Sequence, residues 1–329
     1  MSTVNVTGAN SIDKGYRFIP IYTIWIVEFV VIGLGNLVVC AAILRFEALR
    51  SRKEYLAIFG LSFADFLCLG GYVAASVERL LLILTDQFSM LFTVFQCHLL
   101  PHFLLWFYSV NFLPFMHVLV SLDRLMSVVF PLEYPSSNTG FVKKFLVVTS
   151  VGSFLVTAVV VILSVQDQNL VPAACYDSYV IDSVCPYYGW WYRYSIPIGG
   201  FISVLLYVAL GFVYWHKARA SIEDMKAVPK QLEAERARQR NLTNTIAYSV
   251  FVTFTLLIVP SVLTYVASDV LPRPAQQVLW MLPNLDPLCN LFIYYKRQPE
   301  LTMAVKALFK CKEMPHSLAL WKKDNVQLF

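Results

Sequence analysis

The stretch HVLVSLDRLMSVVFPLEY, His117 to Tyr134, sets an adjacent acid and base near the end of a long apolar run. Charge is expensive in hydrocarbon or in a protein core unless it is paired or reaches water. Asp123 and Arg124 therefore mark either the boundary of an apolar segment or a functional site. The rest of the chain decides between them.

The 329 residues are 58% hydrophobic and only 14% charged, with mean hydropathy +0.61. Soluble domains carry about 45–50% apolar and about 25% charged residues, so this chain is short of surface-forming side chains. A spanning helix needs roughly 20 mostly apolar residues, because the hydrocarbon core is about 30 Å thick and a helix rises about 1.5 Å per residue. Seven segments qualify, at about 21–45, 55–84, 95–130, 141–166, 187–216, 242–268 and 275–296. They lack the period-two alternation of barrel strands, and a lipid-embedded helix satisfies its own backbone. The expected fold is an all-α membrane protein: residues 1–20 before the bundle, 21–296 forming seven spans, and 297–329 a tail.

Basic residues orient the bundle. With the N-terminus outside, 21 of the 26 Lys and Arg fall on the inner side, and only Lys14, Arg17, Arg79, Arg193 and Arg273 lie outside. The positive-inside rule then gives N-out, C-in, in the plasma membrane. Asn5-Val6-Thr7 is a glycosylation sequon on the expected outer side. No basic start, short apolar run and small-residue cut site precede residue 20, so the first span is expected to act as its own insertion signal.

Seven Cys form no metal pattern. Cys40, Cys68 and Cys289 lie inside spans, where small soft residues pack. Cys97 sits at the outer end of the third span, and Cys175 and Cys185 lie in the outer loop after the fourth. An oxidising outer compartment favours a disulfide from that loop to the third span. Cys175 is the better partner; Cys185 lies so close to the fifth span that little chain remains to cross the bundle top, but it stays an alternative. The polar residues within the apolar segments are Asn36, Asp65, Asn111, Asp123–Arg124, Asp286 and Asn290. Each costs free energy there, so each is expected to face the bundle interior.

Motif by motif, these exceptions resemble the rhodopsin-like G-protein-coupled receptors, in flavour the nematode serpentine chemoreceptors. The first span has Gly35-Asn36, and the second Leu61-x-x-x-Asp65. The third ends in Asp123-Arg124-Leu125, with Pro131 and Tyr134 after it. Pro197 lies in the fifth and Pro260 in the sixth, six residues after Phe254. The seventh holds Asp286-Pro287-Leu288-Cys289-Asn290, then Tyr294. The resemblance covers about 20–311. It departs from the family pattern at Asp286 and Asn290, where Asn and Tyr are usual, and at Ile258, where a Trp is usual. Arg240 stands where many relatives place an acid.

The resemblance implies a receptor that senses an extracellular ligand and promotes nucleotide exchange on a heterotrimeric G protein. Arg124 is then the switch at the G-protein face, and, with no acid at 240, Asp123 is its expected resting partner. Asp286, Pro287 and Asn290 form the switch on the seventh span. Asn36, Asp65 and Asp286 form a polar core, where hard oxygen ligands suit Na⁺ or a shared proton; no other cofactor is expected. For the ligand pocket the aromatic runs offer His102, Trp106, Trp190, Trp191 and Trp280, suiting a small apolar molecule or a peptide, in a chemosensory or peptide receptor. Trp106 stands where amine-binding relatives carry an Asp, and Trp280 where opsins carry a Lys, which disfavours an amine and excludes a retinal Schiff base. From Pro299, Leu301, Val305, Leu308 and Phe309 predict an amphipathic eighth helix, apolar face in membrane lipid. Cys311 follows it as a palmitoylation candidate.

Nothing points to an enzyme or to nucleic acid as a partner: there is no nucleophile elbow, phosphate-cradling Gly loop or metal-spaced His pair. The rival reading is a seven-helix ion or solute transporter, since intramembrane acids also mark ion paths. It predicts broken helices with repeat symmetry, which the sequence does not show.

Overall fold

Helix α1 (Ile19–Arg45) opens with a Pro in its first turn and runs apolar almost throughout. It buries Ile32, Asn36, Val39 and Ile43 on one side and exposes Val27, Val31 and Leu34 on the other. A soluble helix rarely shows water so much apolar surface; here the exposed side suits lipid. The computed structural model describes residues 15–130, 139–176, 180, 186–223, 248, 251–266, 270–272, 279 and 281–311. Asn5, Cys185, Arg240 and Trp280 lie outside them.

After α1 come the short α2 (Glu47–Arg50), α3 (Lys53–Leu84), strand β1 (Leu91–Thr93), α4 (Val94–His98), α5 (Pro101–Val129) and α6 (Gly140–Ser164). Strand β2 (Leu170–Pro172), α7 (Pro186–Glu223), a π-helical turn (Thr253–Ile258) and α8 (Val259–Val266) follow. A 3₁₀ turn (Leu282–Leu285), α9 (Asp286–Arg297) and α10 (Pro299–Phe309) complete the order. Among the described residues five helices are long and apolar enough to cross a membrane: Ile19–Arg45, Lys53–Leu84, Pro101–Ser127, Gly140–Ser164 and Tyr187–Val213. The sixth and seventh expected spans are described only in part, by the π turn with α8 and by the 3₁₀ turn with α9.

The expected third span, 95–130, is two helices. The sequence Thr93-Val-Phe-Gln96 closes a capping box: Thr93 Oγ1 accepts from Gln96 N–H, and Gln96 Oε1 accepts from Thr93 N–H. That starts α4. Leu100, extended at φ −67°, ψ 140° as a residue before Pro should be, then ends it, and Pro101 opens α5. Cys97 therefore sits on α4, not on the long helix. A two-stranded antiparallel ladder, Leu91↔Pro172 to Thr93↔Leu170, joins the connections after α3 and α6. Cys97 and Cys175 are disulfide-bonded across the same end, with Cα atoms 5.7 Å apart. Hereafter this is the disulfide end. Cys97→Ser is expected to lower stability by roughly 2–4 kcal/mol. Thermal unfolding that matches a Cys40→Ser control would contradict it.

Helix α5 is the centre, in contact with α3, α6 and α7. Pro114 lies inside it, so the carbonyl of Val110 loses its helical N–H donor. Ser195 of α7 replaces that donor, its Oγ donating to Val110 O at 3.2 Å. The proline's cost is thus offset by a cross-helix bond.

At the far end α10 packs back onto the bundle. Leu301, Ala304 and Ala307 are buried against Val39, Ile43, Phe46, Leu49, Tyr55 and Tyr294, with Val305 and Leu308 beside them. The expectation of an apolar face given to lipid is corrected here: most of it is spent on α1 and α9, and Met303 and Phe309 are the large apolar side chains left outward. Glu300 anchors the start of the helix, accepting from Tyr55 Oη and pairing with Arg52, which also bridges to Glu54 at 2.7 Å. Cys311 is exposed just beyond it.

Candidate functional site

A cavity of about 380 Å³ opens between the helices, within the range typical of small-molecule sites. Helix α3 supplies one wall through Asp65, Cys68, Leu69, Tyr72, Ala75, Ser76 and Arg79. These recur every three or four residues, the period of one helix face. Asp65 and Arg79 are 14 residues apart, nearly four turns, so they share that face about 21 Å from each other. By sequence Arg79 falls within the second span, on its outer side. It lies near the end of α3, buried and lining the cavity, and the spacing from Asp65 is the signal that could have found that role.

At the disulfide end the walls are aromatic. Tyr22, Trp25, Phe29, Tyr72, Trp106, Tyr176 and Tyr192 all contribute. Tyr72 meets Trp106 edge-on at 5.2 Å and Phe29 at 4.9 Å, so the rings brace one another. Arg79 Nε donates to Ala174 O at 3.0 Å, and Nη2 reaches Cys175 O at 3.5 Å. Its guanidinium lies over the ring of Tyr176 at 4.7 Å. The backbone turns at Cys175 with φ 40°, in the left-handed region. The disulfide thus holds the carbonyls that hold Arg79.

The opposite end of the cavity is acidic. Asp286 Oδ1 accepts from Thr253 Oγ1 at 3.1 Å, and Oδ2 accepts from Asn290 Nδ2 at 3.0 Å. Asp65, 4% exposed, is within electrostatic reach of Asp286. The π turn matters here, because it carries Thr253 and precedes Pro260. A Pro withholds one backbone donor, and such wide turns are a usual way to absorb the mismatch. Pro287 also lines the cavity. Asn36 does not: its Nδ2 donates to Ile32 O in its own helix at 3.1 Å.

Of the sequence-named pocket residues, Trp106 lines the cavity. His102 is buried and turned to Glu78, with Nδ1 2.8 Å from the carboxylate. Trp191 donates to Asn111 Oδ1 at 2.8 Å, tying α7 to α5, and Trp190 is 56% exposed. Tyr22, Trp25, Tyr176 and Arg193 were missed. His98, outside the spans on α4, is held by burial at about 4, partly opposed by Asp167; it stays neutral at physiological pH.

Asp123 and Arg124 sit near the other end of α5, Asp123 buried and Arg124 half-buried. Two residues of α3 share their surroundings: Lys53 is within electrostatic reach of Asp123, and Glu54 of Arg124. The expectation that Asp123 alone would face Arg124 is therefore too narrow. Between this pair and the acidic end of the cavity stands Tyr294, buried, within reach of Asp65, Asp286 and Arg124 alike.

The model of the family described as "7 transmembrane receptor (rhodopsin family)" matches residues 35–296. No curated protein matches the chain. The matched stretch includes Gly35-Asn36, Asp65, the Asp123–Arg124 pair and the Asp286–Asn290 segment, the residues that line or flank the cavity and its path toward Arg124. This chain, a multi-pass membrane protein, belongs to the rhodopsin family of seven-transmembrane receptors.

Proposed function

We propose that the protein is a cell-surface receptor that binds an extracellular ligand in the α3–α5 cavity and promotes nucleotide exchange on a heterotrimeric G protein. The observation that carries this reading is the cavity itself, which runs from an aromatic mouth at the disulfide end to the Asp65–Asp286 pair. A ligand there touches α3, α5, α7 and α9 at once, so it can favour one arrangement of these helices over another. In this reading seven helices span the plasma membrane over 21–296, with residues 1–20 and the disulfide outside. Residues 297–329 lie in the cytosol, α10 meets inner-leaflet lipid through its outward Met303 and Phe309, and Cys311 is its site for a palmitoyl chain. The role is chemosensory or peptide-sensing. Purified protein reconstituted with heterotrimeric G proteins should accelerate exchange of bound GDP for GTP; ion or solute flux without exchange would favour a transporter instead.

Asp65 and Asp286 supply hard oxygen ligands of the kind Na⁺ takes, and two carboxylates in one apolar cavity resist ionising together without a cation. Raising NaCl against choline chloride at fixed ionic strength should therefore raise the unfolding temperature of wild type, and Asp65→Asn should remove the difference. Equal sodium dependence in both proteins would reject the site.

A further inference from the structure

Arg79 is the exception in this cavity. It is 7% exposed, near the disulfide end of an apolar helix, and among the described residues it is bonded only to two backbone carbonyls. Its sequence neighbour Glu78 lies toward His102, a carboxylate oxygen 2.8 Å from Nδ1. A buried cation held without a carboxylate is costly. Carbonyl dipoles and the rings of Tyr22 and Tyr176, 6.0 and 4.7 Å from the guanidinium carbon, soften that cost without neutralising the charge. Those bonds take only part of a five-donor guanidinium, on a residue that lines the cavity.

Resting on the reading of this cavity as the ligand site, we propose that it takes an organic monoanion, a carboxylate carried on an aromatic or alicyclic body. The carboxylate pairs with Arg79, whose planar fork suits its two oxygens. The body lies along Tyr22, Trp25, Tyr72 and Trp106, whose faces accept flat or ring-shaped apolar groups. The head is a single carboxylate because one guanidinium, Arg79, keeps donors unspent at that end. The length of the cavity sets the order: anion at the disulfide end, apolar body toward the carboxylates.

The test uses the full chain purified in detergent and reads thermal stabilisation, without G protein. The probes are 4-phenylbutyrate, indole-3-propionate and cyclohexanebutyrate, each beside its primary amide. At least one acid should stabilise the wild type at concentrations where its amide does not. Arg79→Gln should weaken that acid about tenfold or more, and Arg79→Lys less, as loss of a charged hydrogen-bond partner implies. No acid surpassing its amide, or an undiminished preference in Arg79→Gln, overturns the proposal. Should Arg79→Gln fail to fold, wild type is photolabelled with 4-azidobenzoate: label on peptides holding Tyr22, Tyr72 or Tyr176 supports the site, and label confined elsewhere overturns it. An acid preference without nucleotide exchange leaves the anion site standing and removes the receptor reading; exchange without acid preference does the reverse.

Discussion

Arg124→Ala is expected to abolish nucleotide exchange while leaving expression, folding and binding at the cavity intact. The side chain is half-buried at the end of α5, flanked by Asp123 on its own helix and by Glu54 on α3. In the proposed receptor a guanidinium so placed would have two settings: paired with these acids, or turned to donate to a partner's terminal carbonyls when the helices part. Removing it deletes the second setting, while the acids of the first keep other cations: Glu54 its bridge to Arg52 at 2.7 Å, and Asp123 the nearby Lys53, so the loss is modest. The cavity lies farther along the bundle, with Tyr294 between, so ligand stabilisation should be unaffected. Exchange in reconstituted vesicles, normalised to folded receptor, is the measurement. Exchange at the wild-type rate would show that Arg124 has no part in coupling. Glu54→Gln gives a graded companion: with one acid gone the resting setting weakens, and ligand-free exchange should rise.

How far the sequence reached depended on what each residue type signals. Cys97 and Cys175 were legible as a pair because the loop from Cys185 is short, and they are joined. The third span was legible as apolar from hydropathy, but its true start at Pro101 rested on a capping box and a pre-proline residue, local signals that hydropathy averages away. The burial of Arg79 was not legible for the opposite reason. A lone charge near a span end reads as a boundary, whereas its four-turn spacing from Asp65 puts it on the inward face. The aromatic run from Tyr187 to Tyr194 carried too little information to say which ring faces inward. Trp190 is exposed, Trp191 serves Asn111, and Tyr192 lines the cavity, each one step of about 100° from the next. Contacts between helices, not composition, decide that.

Gly199→Ala should be the most damaging small substitution in the spans. A Cβ at this position would stand 2.7 Å from both Cα and Cβ of Pro114, and 3.0 Å from its carbonyl oxygen. Backbone cannot swing aside as a flexible side chain does, so α5 and α7 must separate. Separation also breaks Ser195 Oγ from Val110 O, stranding the carbonyl that Pro114 had already deprived of its helical donor. Overpacking of this kind costs about 1–3 kcal/mol, and the lost bond adds to it; Gly199→Val should leave no folded protein. Changing Pro114 to Ala should not rescue either variant, because the clash is with Cα and carbonyl as well as with the ring. Gly211, on the same helix, supplies the control. Nothing lies within 4 Å of a Cβ there, so Gly211→Ala should hold or gain up to about 1 kcal/mol from helix propensity alone. Thermal unfolding of the two alanine variants in one detergent decides the matter: equal midpoints would mean that α5 and α7 do not approach so closely at Pro114, and that Ser195 is not what completes the kinked helix.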